Sequence, residues 1–231
     1  MFLRKKNDSL LDHRRRDLIT IVNPKSPISE QYRTIRANLE FTSIGQKLQM
    51  ITVTSASNGE GKSTTAANLA VVYAQLGKRV LLIDCDLRKP TAHHTFRLSS
   101  NVGLSTILVG RISFERALQP SDVERLTVLA AGPIPPNPAE LIASEQMAAL
   151  LEVIRTQYDM IILDSPPMMQ VADARLLANI SDGTILVIGC ENSDRQLVLK
   201  AKEQLERTGA RMLGLVLNQR KIKRHSYNAY E

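Results

Sequence analysis

The sequence predicts an α/β domain built on a doubly wound, mainly parallel sheet with helices on both faces. Short continuous apolar runs alternate with longer segments of helical spacing, which is typical of strands buried on both faces. A glycine-containing loop lies between one apolar run and the next helical segment, where such folds bind ligands. With 231 residues, 43% hydrophobic and 23% charged, the chain has the size and composition of one large globular domain with tails.

The elements follow in a regular order after a first predicted helix over residues 29–44, for which Ser29 is the predicted cap. Strands are predicted over residues 48–54, 79–85, 126–132, 160–167, 183–190 and 212–218. Helices are predicted over residues 62–77, 103–110, 114–119, 172–180 and 193–209, and one or two helices over residues 138–158. Because parallel strands end at one edge of a sheet, we expect the ligand beyond their carboxyl ends.

The composition excludes several classes of protein. Two cysteines, Cys85 and Cys190, are too few for a disulfide scaffold, and both are interpreted as packing residues. No Cys/His spacing fits a zinc site, and no apolar run approaches the ~18 residues of a membrane span. The N-terminus lacks the apolar run of a signal peptide, so the cytoplasm is the predicted compartment.

The net charge of +7 is concentrated in the two tails. Residues 1–16 carry +4 and residues 220–231 carry +3, whereas the body of the chain is balanced. A nucleic-acid-binding domain more often carries its charge on a folded face, so no nucleic-acid partner is expected. Basic tails suit an anionic membrane surface or an acidic partner, and they equally suit a purely solubilising role.

The most informative segment, residues 51–70, places a strand, a glycine-containing loop and a helix in the order of a P-loop. Its glycines let backbone N–H groups turn around phosphate oxygens, and the helix N-terminus adds partial positive charge. Lys62 is predicted to reach the β- and γ-phosphates of ATP, and the Ser63 hydroxyl to bind Mg²⁺. The predicted ATP-binding residues are Asn58, Gly59, Glu60, Gly61, Lys62, Ser63, Thr64 and Asn218.

This loop departs from two common patterns. Ala56 stands where the usual P-loop begins with glycine, but the flanking strand and helix keep the required context. The Gly59-Glu60-Gly61 fragment resembles the start of a dinucleotide fingerprint, yet the third glycine is missing and Lys62 follows. A dinucleotide site is therefore rejected.

Acidic residues end two of the predicted strands. Asp84 and Asp86 are two apart on an extended segment, so both side chains can point the same way, and Asp164 ends a second strand. Mg²⁺ takes one or two carboxylates together with phosphate oxygens and water. Three acids exceed that need, which leaves one of them, Asp84 in our interpretation, to orient or deprotonate a nucleophile.

Other polar residues allow two interpretations. Arg88 and Lys89 either bind phosphate or lie on the surface, and Asn218 either contacts the base or belongs to a turn. His93 and His94 have no matching partners and are interpreted as ordinary loop residues.

The segments SASNGEGKST, LLIDCDLRKP and IILDSPP together resemble the bacterial tyrosine kinases of exopolysaccharide and capsule loci, the BY-kinases. The resemblance covers residues 25–220, and its specific part is the Asp84-x-Asp86-x-Arg88 motif. It implies a fold related to MinD- and ParA-type ATPases and ATP-dependent phosphorylation of protein tyrosines. Asn58 stands where the family usually has proline.

The resemblance implies a role for each residue of the site. Lys62 and Asp84 are the implied catalytic residues, with Asp84 as the base toward a tyrosine hydroxyl. Asp86 and Asp164, together with Ser63, are implied to hold Mg²⁺ directly or through water.

The resemblance also implies contacts between copies of the chain. The segment EQYRTIR matches the family's Glu-x-x-Arg-x-x-Arg motif, so Glu30, Arg33 and Arg36 are expected to join subunits in a ring. Surface ion pairs at helical spacing are the alternative. Tyr227 and Tyr230 are the implied sites of autophosphorylation in trans, although many relatives carry more tail tyrosines.

Three segments follow from this reading of the chain: a basic flexible segment over 1–25, a P-loop kinase domain over 26–218 and a basic tyrosine-bearing tail over 219–231. A separate transmembrane adaptor is implied to activate the kinase and to hold it at the inner face of the cell membrane. The expected substrates are proteins such as polysaccharide-synthesis enzymes.

Two other functions remain open at this point. A MinD/ParA-like ATPase switch would share the P-loop and the acidic strand ends, but that class carries a lysine five residues before Lys62, where this chain has Ser57. An ATP-binding scaffold of the polysaccharide export complex would have the same residues as a kinase that also acts as a scaffold.

Overall fold

A sheet of seven strands runs through residues 18–191 and 193–220, the part of the chain that this computed structural model describes. The strands are β1 (Met50–Ser55), β2 (Val80–Asp84), β3 (Gln119–Pro120), β4 (Leu126–Leu129), β5 (Met160–Asp164), β6 (Gly183–Gly189) and β7 (Met212–Asn218). They lie in the order β3-β4-β2-β5-β1-β6-β7, and each neighbouring pair is parallel except β3 and β4. The predicted α/β fold with a mainly parallel sheet is confirmed.

Helices cover both faces of the sheet. They are α1 (Ile19–Val22), α2 (Pro27–Thr42), α3 (Lys62–Ala74), α4 (Ala92–Phe96), α5 (Leu104–Leu108), α6 (Phe114–Ala117), α7 (Pro138–Ile142), α8 (Glu145–Gln157), α9 (Asp173–Ile180) and α10 (Arg195–Arg207). The first four pack on one face, and α5 to α10 pack on the other.

The central strands are mainly apolar and almost entirely buried because both of their faces are covered. Ile51 and Val53 of β1 pack toward α3, whereas Met50 packs toward α8 on the opposite face. Successive side chains of a strand point to opposite faces, so a two-sided core favours a run of mainly apolar residues. This is the physical origin of the pattern from which the sequence predicts the sheet. The buried hydroxyls of Thr52 and Thr54 in β1 donate to Leu177 O and Pro166 O.

The helix α2 begins two residues earlier than its predicted start. Its cap is Ser26, whose Oγ accepts a hydrogen bond from Ser29 N at 3.1 Å, and Pro27 occupies the first helical position. Proline suits that position because its missing N–H would have no partner inside the helix. The prediction of Ser29 as the cap is wrong, since its hydroxyl lies buried and donates to Asn23 O at 2.7 Å.

Part of the segment expected to be flexible is packed. Leu18, which precedes α1, and Thr20, which belongs to α1, are both buried against α3. Asn68 Oδ1 accepts from Thr20 N at 3.2 Å and from Thr20 Oγ1 at 2.8 Å. The packed body therefore includes residues from Leu18 onward, eight residues before the predicted boundary at 26.

Residues 138–158, predicted as one or two helices, form two, because Ser144 caps α8 by accepting from Met147 N at 3.2 Å. Two further elements differ from the sequence prediction. The segment that contains His93 and His94 is the helix α4 and not a loop. Residues Gln119–Pro120 form the short antiparallel edge strand β3. Within the described part of the chain, no helix has the length and apolar character of a membrane span.

Candidate active site

The phosphate loop, residues 56–61, connects β1 to α3 at the carboxyl end of the sheet. Gly59 and Gly61 have φ angles of 82° and 93°, in the left-handed region that favours glycine. Gly61 is the N-cap of α3 and provides no capping side chain, so the first N–H groups of α3 are available to an anion. A Cβ atom on Gly61 would lie 1.9 Å from Asn218 Nδ2, so this position also requires glycine for space.

Lys62 lies among acidic side chains and is 8% exposed. Its Nζ is 3.0 Å from Asp86 Oδ2, 3.7 Å from Asp164 Oδ1 and 3.2 Å from Ser63 Oγ. Burial by itself lowers the pKa of Lys62, but the carboxylates of Asp164 and Asp86 outweigh this effect and hold the pKa above its ordinary value. The structure thus brings together four of the residues that the sequence predicts for the site.

Asp84 is fully buried next to this group. Its Oδ2 accepts from Thr91 N at 2.8 Å and from Ala92 N at 2.9 Å, and its Oδ1 accepts from Asp86 N at 3.2 Å. Asp84 is the register partner of Asp164 across β2 and β5. Burial and the neighbouring Asp164 carboxylate raise the pKa of Asp84 to about 7, although the backbone N–H donors oppose the rise.

The arrangement fits a magnesium ion that shares its coordination with a ligand. Carboxylate oxygens of Asp86 and Asp164 and the Ser63 hydroxyl already surround one cation, the Lys62 ammonium. In the described residues no three His, Cys, Asp or Glu side chains form a ready-made metal cage. A metal here would therefore need phosphate oxygens and water to complete its shell, as Mg²⁺ does.

Two side chains of the phosphate loop are engaged by the protein itself. Asn58 Nδ2 donates to Gln170 Oε1 at 2.8 Å, and Glu60 Oε2 accepts from Ser57 N at 2.8 Å. Contacts of Asn58 and Glu60 with ATP would therefore come from their backbone. Thr64 lies in the first turn of α3, as predicted.

Asn218 is the last residue of β7 and lies against the phosphate loop. Its Nδ2 donates to Glu60 O at 3.0 Å, and the next residue, Gln219, donates from Nε2 to Gly59 O at 2.9 Å. A contact of Asn218 with the base stays a prediction, whereas its contact with the loop is direct.

Arg88 is anchored by a residue that the sequence analysis missed. Its Nε and Nη2 donate to Asp173 Oδ2 at 2.9 Å and Asp173 Oδ1 at 3.2 Å, and the Asp173 side chain is fully buried. Lys89 N donates to Asp86 Oδ1 at 3.0 Å, so this turn shapes the acidic strand end. The only sequence signal for Asp173 is an acidic residue in the first turn of a predicted helix.

The three residues predicted to join subunits lie along α2. Glu30 and Arg33 form an ion pair, and Arg33 Nη2 donates to Pro24 O at 2.8 Å. Arg36 instead turns toward α3, where its Nη1 lies 3.4 Å from Val72 O. The predicted phosphorylation sites, Tyr227 and Tyr230, lie outside the described residues.

Comparisons with known proteins show which families the chain resembles. The family model of the AAA domain matches residues 48–208. The tyrosine-protein kinase YwqD of Bacillus subtilis (strain 168) is 49% identical over 230 residues, which covers 100% of this chain and 96% of that protein.

Two solved structures show the same architecture. The kinase domain of the Escherichia coli tyrosine kinase ETK has a TM-score of 0.85 and 30% identity, and the match covers 93% of this chain and 85% of that chain. The septum site-determining protein MinD from Pyrococcus horikoshii OT3, complexed with Mg-ADP, has a TM-score of 0.63 and 25% identity over 74% of this chain and 70% of that chain. The fold is therefore shared by a tyrosine kinase and by a nucleotide-binding ATPase.

Proposed function

The chain belongs to the bacterial tyrosine-protein kinases of capsule and exopolysaccharide loci, and from this premise we propose how its residues transfer phosphate from ATP to tyrosine. The observation that carries the proposal is the position of Lys62 beside Ser63, Asp86 and Asp164, at the point where the phosphate loop meets the ends of β2 and β5. A lysine held among carboxylates at a phosphate-binding loop is suited to phosphoryl transfer.

Binding of the nucleotide depends on the loop and on Lys62. The N–H groups at the start of α3 receive the phosphates, and the Lys62 ammonium moves from its carboxylate partners to the β- and γ-phosphates. Because phosphoryl transfer passes through a loose transition state, the neutralisation and alignment of these oxygens supply most of the catalysis.

Ser63, Asp86 and Asp164 would hold Mg²⁺. When bound, the ion would neutralise charge on the β- and γ-phosphate oxygens. The oxygens of these three side chains surround the Lys62 ammonium, so movement of the ammonium toward the nucleotide would leave them available to hold the ion.

Asp84 would accept the proton of the attacking tyrosine. The ordinary pKa of a tyrosine hydroxyl is about 10, so a base is needed only as the bond to phosphorus forms. The pKa of Asp84, raised to about 7, leaves this carboxylate more basic than an ordinary aspartate. Three backbone N–H donors fix its orientation.

We further propose that Tyr227 and Tyr230 are phosphorylated in trans. The tail follows β7, whose last residue lies against the phosphate loop. Fully extended at ~3.3 Å per residue, residues 219–231 would span roughly 40 Å, enough to reach a neighbouring copy. The exposed Glu30–Arg33 pair on α2, together with Arg36, would join the copies in a ring.

A separate transmembrane adaptor would activate the kinase at the inner face of the membrane, close to substrates such as polysaccharide-synthesis enzymes. The concentration of positive charge in both tails supports a position near anionic lipid.

The proposal is tested by incubating the full chain with Mg-ATP, with and without the cytoplasmic tail of a candidate adaptor, and mapping modified residues by mass spectrometry. We expect phosphate on Tyr227 or Tyr230, and none with Lys62→Ala.

The second candidate is a nucleotide-operated switch, which the likeness to MinD favours. Consumption of ATP that leaves every tyrosine unmodified, in the presence of the adaptor tail, would support the switch and contradict the kinase mechanism.

A further inference from the structure

Glu60 is a carboxylate inside the phosphate loop, and its side chain is buried, with 1% of the residue exposed. A negative charge facing the phosphates of ATP would weaken their binding by repulsion. The side chain instead points to protein donors. Its Oε2 accepts from Ser57 N at 2.8 Å, and its Oε1 accepts from the Ser193 hydroxyl.

Ser193 is itself fixed to the end of β6. Its Oγ accepts from Gly189 N at 2.9 Å, and its N donates to Gly189 O at 2.9 Å. The Glu60 carboxylate therefore joins the phosphate loop to a segment more than 130 residues away in the chain, immediately before α10.

The end of β7 supports the same loop. Asn218 Nδ2 donates to Glu60 O, and Gln219 Nε2 donates to Gly59 O, at 3.0 Å and 2.9 Å. Two carbonyl groups of the loop are thus occupied on the protein side, which favours a backbone whose N–H groups face the ligand. Gly189 packs so closely that a Cβ there would lie 3.3 Å from Glu60 Cα, so the loop has little space to shift.

We propose that Glu60 is a positioning residue that fixes the phosphate loop in its binding shape through Ser57 and Ser193. The carboxylate does not touch the nucleotide; it acts through the loop backbone. This inference rests on the proposed function, since it assumes that the loop binds the phosphates of ATP.

Substitutions of Glu60 should change nucleotide affinity in opposite directions, depending on whether its side-chain contacts or its charge matters. If the contacts matter, Glu60→Gln keeps them, because an amide oxygen accepts from Ser57 N and an amide nitrogen donates to Ser193 Oγ. If only the charge matters, both Glu60→Gln and Glu60→Ala remove a repulsive carboxylate and strengthen binding.

The experiment measures the Kd of Mg-ADP for the full-length wild type, Glu60→Ala, Glu60→Gln, Ser193→Ala and the double alanine variant. We expect the Kd to rise roughly tenfold in Ser193→Ala, the size expected for one lost charge-assisted hydrogen bond, and further in Glu60→Ala, which also removes the acceptor of Ser57 N. Glu60→Gln should stay within about twofold of the wild type, and the double variant should bind about as weakly as Glu60→Ala. The matched control is Glu124→Ala, whose side chain is 92% exposed and should leave the Kd unchanged.

Unchanged affinity in both alanine variants, tighter binding by Glu60→Gln, or a Glu60→Gln variant as weak as Glu60→Ala would each overturn the inference. If Glu60→Ala does not fold, Ser193→Ala and Ser193→Thr decide, because threonine keeps the hydroxyl and should restore binding. A wild type that binds no Mg-ADP would refute the proposed function itself, which separates that failure from the failure of this inference.

Discussion

Asp84 is the residue on which the proposed chemistry depends most directly. It shares burial and strand-end position with Asp86 and Asp164. Its Oδ2 accepts from Thr91 N and Ala92 N, as Asp86 Oδ1 accepts from Arg88 N and Lys89 N. Lys62 lies within 4.0 Å of carboxylate oxygens of Asp86 and Asp164. The three acids therefore have different surroundings, which is consistent with different roles.

Asp84→Ala should lower the rate of tyrosine phosphorylation by at least about 100-fold, the usual contribution of a general base. The affinity for Mg-ADP should change little, because Lys62, Ser63 and the loop remain. Phosphorylation is measured in single-turnover assays and ADP binding by calorimetry. Retained phosphotransfer in this variant would remove Asp84 from the role of base.

The two glycines of the phosphate loop offer a matched pair of substitutions. Both have positive φ, but a Cβ on Gly61 would collide with Asn218 Nδ2 at 1.9 Å, whereas a Cβ on Gly59 would meet no atom within 4 Å. Both substitutions add backbone strain of about 1–2 kcal/mol, and only Gly61→Ala adds the collision. Gly61→Ala should therefore raise the Kd of Mg-ADP clearly more than Gly59→Ala does. Equal effects in the two variants would show that space at Asn218 is unimportant.

At the scale of elements, β1 is held at its start by a side chain from the loop before β6. Asp182 Oδ2 accepts from Gln49 N at 2.8 Å and from Met50 N at 2.7 Å, and both carboxylate oxygens contact the Arg155 guanidinium of α8. Partial burial raises the pKa of Asp182, but Arg155 and the two amide donors outweigh it and hold the pKa below its ordinary value. One carboxylate thus ties a central strand to a helix.

Asp182→Ala should destabilise the fold by about 1–3 kcal/mol at neutral pH, because two amides and a guanidinium lose their acceptor. A pKa that is lower in the folded state gives stability that is present above the unfolded-state pKa of about 4 and is lost as the pH falls through the folded-state pKa. The difference in the free energy of unfolding between the wild type and the variant should therefore shrink in acid. Urea unfolding of both proteins from pH 7 to pH 3 measures this difference.

The control for this prediction is Asp159→Ala, which removes the acceptor of the Arg79 guanidinium and of Arg79 N at a largely exposed position. Exposed pairs contribute little, so this variant should lose less stability than Asp182→Ala at neutral pH. A loss for Asp182→Ala that does not vary with pH would contradict the role of its charge.

At the scale of the whole molecule, phosphorylation in trans is tested by mixing two variants of the chain that have different defects. A Lys62→Ala copy with an intact tail should be phosphorylated on Tyr227 or Tyr230 by an active copy that carries Tyr227→Phe and Tyr230→Phe. The reason is that the first copy supplies only the acceptor and the second only the site. Mass spectrometry of the isotopically labelled Lys62→Ala copy measures the transfer.

The Lys62→Ala copy alone is the control and should stay unmodified. If the mixture leaves its tail unmodified while the wild type modifies itself, the tail enters the site of its own chain. Mixing with a variant in which Glu30, Arg33 and Arg36 are all alanine should slow the transfer, provided that α2 joins the copies.

The local sequence determined the main elements of this protein and the identity of its phosphate loop. Mainly apolar runs predicted β1, β2, β5 and β6, because a strand covered on both faces buries nearly all of its side chains. Glycine and lysine at fixed positions before a helix determined the P-loop, since its geometry depends on neighbouring residues alone.

The tertiary structure decided what depends on contacts between distant segments. The pairing of Asp84 with Asp164, the anchoring of Arg88 by Asp173 and the attachment of Glu60 to Ser193 all join residues that are at least 80 positions apart. The packing of Thr20 on Asn68 is of the same kind. Apolar periodicity shows that a face is buried but not which segment covers it, so hydrogen bonds across strands and helices emerge only when the sheet order is set.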